Sequence, residues 1–224
     1  MKKIILVSLI ITAGFFAQTF KVEKVSGRVS VQKGTSEEWI TVKKGVTLEA
    51  NDFIQTGDKS SVQLRIGKDK FILKSASAIM PGSIRKISQN DLLLALTAEE
   101  IKSLPNEKKD TKTKSTAVYG SKLDKSNPSF SASDIGIKRL NGARQLAENG
   151  FMESSVIVAK ETFRKYPETK LFVKERIYFA GVLEKLSLYE EALKEYNRII
   201  SLDMTAKEKS LVNKRIDELN KKLE

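Results

Sequence analysis

Residues 51–66 read NDFIQTGDKSSVQLRI. Val62, Leu64 and Ile66 alternate with Gln63 and Arg65, and a period of two marks a strand with one buried face. Thr56-Gly57-Asp58 supplies a turn just before them. The alternation recurs upstream, with Val29 and Val31 between Arg28, Ser30 and Gln32, and with Ile40 and Val42 around Thr41. Lys33-Gly34, Lys44-Gly45, Asn51-Asp52 and Gly67-Lys68-Asp69 add further turn signals. Short strands separated by turns at this spacing predict an all-β sandwich or barrel over residues 18–104. Asp91–Leu96 is expected as its last strand, and Ala98–Leu104 as a short helical turn.

The character changes at Pro105. Residues 105–133 are rich in Lys, Asp, Thr, Ser and Asn and read as a polar flexible linker, because they hold too little apolar surface to offset the entropy of ordering. Thr116–Gly120 interrupts the linker and could dock as an extra strand on the β domain. Residues 134–224 read as all-α, with helices at about 134–149, 153–166, 170–186, 189–202 and 206–223. Asn149-Gly150 stops the first and Pro167 ends the second. Thr205-x-x-Glu208 is a capping box opening the last, which puts Val212, Ile216, Leu219 and Leu223 on one face.

The extreme N-terminus is a different kind of segment. Lys2 and Lys3 precede fourteen residues without a charge, Ile4 to Ala17. That is the length of a signal-peptide apolar region and short of the ~20 residues that span a bilayer. Residues 1–17 are therefore expected to be a signal peptide, with cleavage near Ala17. The expected location is periplasmic or secreted, without a transmembrane span in the mature chain. With no cysteine there is no lipoprotein anchor, disulfide or thiol chemistry. With no histidine, Ser-His-Asp triads and His-ligated zinc are excluded. The net charge of +12 is spread along the chain with acids interleaved, unlike the clustered footprint of a nucleic-acid binder, so no nucleic-acid partner is expected.

The helical part holds an internal repeat. Gly150 through Ser155 to Tyr166-Pro167 parallels Ser187 through Ala192 to Asp203-Met204, at an offset of 37 residues. It resembles tetratricopeptide repeats, whose period is about 34 residues. Ala180, Leu183, Tyr189, Ala192, Tyr196 and Ile199 fall on that motif's packing positions in the second unit. Gly150, Phe163 and Pro167 do so in the first, where Ser155 replaces the usual alanine. The last helix would serve as a cap. The resemblance implies a concave peptide groove lined by Arg144, Glu148, Lys174, Ile177, Gly181 and Glu184.

The first half resembles the FecR domain, a β module of bacterial envelope proteins. The resemblance rests on Gly27, Val29, Val31, Gly34, Trp39, Val42, Gly45 and Leu48, then Asp52-x-Ile54-x-Thr56-Gly57 and Ser61-Val62-x-Leu64-x-Ile66, and extends to Ser88. Asn51 stands where such modules carry glycine, and asparagine accepts the left-handed conformation a turn there would need. Trp39, the only tryptophan, is expected in the core of a strand. Asp52 and Asp58 are expected to bind their own turn backbone rather than a metal.

No residue pattern offers catalysis. Glu37-Glu38 and Glu190-Glu191 are adjacent pairs that point apart, and no phosphate-binding or nucleophile-elbow motif is present. The expectation is a non-enzyme without cofactor or metal: an extracytoplasmic interaction or scaffold protein that binds envelope proteins through its helical repeats. Two alternatives follow the FecR resemblance: a cell-wall or glycan-binding adaptor, and an indirect extracytoplasmic signalling regulator. Direct contact with a cytoplasmic sigma factor does not fit, since only Met1 to Lys3 would lie in the cytoplasm.

Overall fold

In the computed structural model, which describes residues 18–104 and 132–224, the alternating runs become eight strands in two antiparallel sheets. The expected signal peptide, Thr116–Gly120 and nearly all of the expected linker lie outside the described residues. β1 (Phe20–Ser26), β4 (Thr47–Leu48), β6 (Ser61–Ile66) and β7 (Asp69–Leu73) form one sheet, in the order β4-β1-β6-β7. β2 (Val29–Gln32), β3 (Ile40–Thr41), β5 (Phe53–Thr56) and β8 (Ala78–Ile79) form the other, in the order β3-β2-β5-β8. Register places Leu64 between Val22 and Phe71 in the first sheet, and Ile54 between Val31 and Ile79 in the second. All six are buried in one apolar cluster. The period of two thus sends one face of each sheet into a common core.

The Asp-x-Ile-x-Thr-Gly stretch is a structural device. The Asp52 carboxylate, 1% exposed, accepts from Lys33 Nζ (2.6 Å), the Gly34 amide (3.1 Å) and the Glu49 amide (2.9 Å). Burial alone would raise its pKa, but these donors outweigh it and hold the group below the ordinary carboxylate value. The Thr56 hydroxyl donates to the Lys74 carbonyl (2.6 Å) and accepts from the Ser77 amide (3.1 Å), tying β5 to the chain that enters β8. The non-glycine residues with positive φ among those described are Lys59, Ala76 and Ser187, so Asn51 keeps an ordinary backbone and the turn does not use a left-handed residue there. Trp39 lies outside the strands. It precedes β3, half-buried, its ring 5.9 Å from that of Phe53. Ile40 is 46% exposed because two-residue β3 is the outer strand of its sheet.

One expected strand is a helix. Asp91–Leu96 and Ala98–Leu104 belong together to α1, Gln89–Ser103. Ser88 caps it by accepting from the Asp91 amide (3.1 Å). Leu92 and Leu96, four apart and so on one helical face, are buried against the helices rather than in the sheets.

The later helices follow the expected order: α2 (Ala132–Glu148), α3 (Met152–Lys165), α4 (Val173–Lys185), α5 (Tyr189–Ile199) and α6 (Ala206–Leu223). Pro167 ends α3 and opens a 3-10 turn, Pro167–Leu171. The Thr205–Glu208 capping box is formed in both directions.

The helices are packed onto the sheets. Leu140, Ala143 and Leu146 of α2, with Val158 and Phe163 of α3, complete the apolar cluster of the β strands. A polar row on α2 faces the chain around β8. Lys138 Nζ donates to Gln55 (3.1 Å) and Asn141 to the Ala76 carbonyl (2.8 Å). The Gln145 amide accepts from the Lys74 amide (2.7 Å) and donates to Ser77 (2.6 Å). Gly142 sits in the middle of this row, where a Cβ would lie 2.2 Å from the Ala78 carbonyl oxygen. Only a residue without a side chain permits that approach.

Candidate functional site

The expected groove residues lie mainly on one face of α4. At about 100° per residue, Lys174, Ile177, Gly181 and Glu184 form a stripe along it. On one side α2 adjoins. There the Arg144 guanidinium rests 3.9 Å from the centre of the Tyr178 ring and 3.8 Å from Glu175. Burial raises the Tyr178 pKa, with Arg144 opposing. On the other side α6 adjoins, and Arg215 lies 3.9 Å from Glu184, which also accepts from the Tyr196 hydroxyl (2.7 Å). Lys174 is exposed near the start of α6. Its charge adds to the Thr205 hydrogen bonds that hold Glu208 below the ordinary carboxylate value. Glu148 departs from the group. It pairs with Lys74 of the β part at 3.6 Å.

A second feature lies behind α4, and sequence reading missed it. Arg176, two residues from Lys174, projects roughly 200° around the helix. It joins a cleft of about 400 Å³ between α1, α3 and α5. At its base Glu195, 3% exposed, accepts from Lys160 (2.5 Å) and Arg176 (2.8 Å). Burial would raise the Glu195 pKa, but the two cations lower it. Two ion pairs reach the α1 wall, the shielded Glu99–Arg164 and the exposed Glu100–Arg198, each at 2.5 Å. A strand over 91–96 leaves no such cleft, so the expectation of a strand there conceals it. Ser88-x-x-Asp91 before an apolar run was the available signal, since that spacing opens helices.

Among the described residues, no group of three or more Asp or Glu could hold a metal, and no helix is long and apolar enough to cross a membrane. Set against protein-family models, curated proteins and solved structures, the chain has no match.

Proposed function

We propose that this chain is a non-catalytic, extracytoplasmic binding protein of the bacterial envelope. Its β part is read as a FecR-like module, and α2–α6 as two tetratricopeptide-like units with a cap. The repeat reading is supported by two matching turns. Gly150 (φ +84°) and Ser187 (φ +60°), 37 residues apart, are both left-handed. The Phe151 amide donates to the Leu146 carbonyl (2.9 Å) and the Leu188 amide to that of Leu183 (3.0 Å), again 37 apart. This is one helix-ending geometry used twice. Buried Ala143 and Leu146 correspond in the same way to buried Ala180 and Leu183.

The observation that carries the function is the α4 stripe between α2 and α6. It combines an exposed cation, an apolar side chain, a glycine that lets a backbone approach, and paired charges at both margins. That suits an extended segment of a protein partner. The test is photo-crosslinking in the native envelope from a reactive side chain at position 174 of the full chain. A discrete protein adduct is expected, and Gly181→Trp should abolish it. No adduct, or one that persists in Gly181→Trp and forms equally from position 214, about 200° around α6 from buried Val212, would overturn the assignment.

A further inference from the structure

We infer that the cleft between α1 and the helices is a second binding site, for a polypeptide segment carrying carboxylates beside apolar side chains. The site lies on the opposite side of α4 from the Lys174 stripe, so the inference stands apart from the reading of that stripe.

Charge is the first argument. Five cations line the cleft: Lys160, Arg164, Lys170, Arg176 and Arg198. Lys160 and Arg176 share the single carboxylate of Glu195, which leaves that group one positive charge in excess. Lys170 makes no ion pair among the described residues, and its side chain stands in solvent at the cleft. Arg198 and Glu100 are each 52% exposed, so their pair is of the screened surface kind that contributes little. Carboxylates of an incoming segment can exchange with Glu100 at Arg198 and pair with Lys170. Arginine binds carboxylates in a planar, two-point fashion, which gives the exchange a defined geometry.

The apolar complement is the second argument. Leu96 and Phe163 form part of the lining. Leu104 and Leu171, next in sequence to the lining residues Ser103 and Lys170, are 62% and 69% exposed. Exposed large apolar side chains rimmed by polar groups are characteristic of a contact surface rather than of a solvated face. The cleft volume of about 400 Å³ lies in the range that encloses several side chains of a ligand. Four carboxylates, Glu99, Glu100, Glu191 and Glu195, face the five cations, so the excess is a single positive charge, which suits isolated carboxylates on an apolar segment better than a polyphosphate.

The test uses the full chain and a fluorescein-labelled ten-residue peptide that alternates glutamate and leucine, followed by fluorescence anisotropy. Saturable binding is expected that weakens with salt and falls at least tenfold in the double variant Lys170→Gln/Arg198→Gln. Both side chains are exposed, and circular dichroism of the variant verifies the fold. Lys174→Glu, on the other side of α4, should leave affinity within twofold, and a peptide with lysine in place of glutamate should not bind. Absence of saturable binding, equal affinity in the double variant, or tighter binding of a thymidine oligonucleotide of equal charge would overturn the inference.

Discussion

The Ser155 hydroxyl is fully buried in α3 and has no hydrogen-bond partner among the described residues. At the equivalent place in the second unit, 37 residues on, stands Ala192, which is also fully buried. An unpaired buried hydroxyl costs free energy, and alanine is the better helix former. Ser155→Ala should therefore raise stability by about 1 kcal/mol. A urea midpoint lower than that of the parent would refute this. Glu195 is the opposite case, a buried charge that is satisfied twice. Its pKa is depressed on folding, so its contribution is complete above the unfolded carboxylate value of 4.5 and is lost as pH falls through the lower folded value. Glu195→Gln leaves Lys160 and Arg176 without their counter-ion and should cost about 3 kcal/mol at pH 7. The gap to the parent should narrow when unfolding is measured near pH 3, below the unfolded carboxylate value, where unfolding of the parent takes up a proton that the folded carboxylate resists. A gap of the same size at both pH values would show that the pair contributes nothing through ionisation.

Among the elements, legibility depended on whether burial was one-sided. β6 buries one face, so Val62 and Leu64 announced it by alternation. α6 does the same with a helical period, and the Thr205 cap marked its start. α1 is apolar on both sides. Leu92 and Leu96 face inward while Leu94 and Ile101 are 70% and 63% exposed, so the run Leu92–Leu96 carries no period at all. The Ser88-x-x-Asp91 spacing was the better guide, because it opens a helix, and the helix runs to Ser103. The α2 row was hidden for another reason. Lys138, Asn141 and Gln145 recur at helical spacing and look like a solvated face, yet they are the contacts to the chain around β8. Polar residues that pair across an interface are indistinguishable in sequence from those that meet water. The proposed stripe of α4 could be placed from sequence because Lys174, Ile177, Gly181 and Glu184 share one face of a helix. The cleft was not, because it joins residues from helices far apart in the chain, one of them read as a strand.

At the scale of the molecule, a composition break at Pro105 divides the chain, but the apolar core does not stop there. Phe20, Leu64 and Phe71 of the sheets share one cluster with Leu140, Leu146 and Phe163 of the helices. Domains joined only by a linker would unfold separately, whereas elements sharing a core unfold together. Two intrinsic probes distinguish these cases. Trp39, the only tryptophan, packs on Phe53 in the β part, and the Phe53 ring lies 5.6 Å below the Arg139 guanidinium of α2. Far-ultraviolet circular dichroism reports the helices. The tryptophan and helical transitions should coincide in urea. Gly142→Ala, which forces a methyl against the Ala78 carbonyl, should lower both midpoints together, by an overpacking cost of roughly 1–3 kcal/mol. If the two probes separated, or if Gly142→Ala moved only one of them, the shared cluster would not be acting as a single cooperative core. In that event α2 would be a detachable contact between the sheets and the other helices. Coincidence instead fixes α2 as part of both the core of the sheets and the helical array.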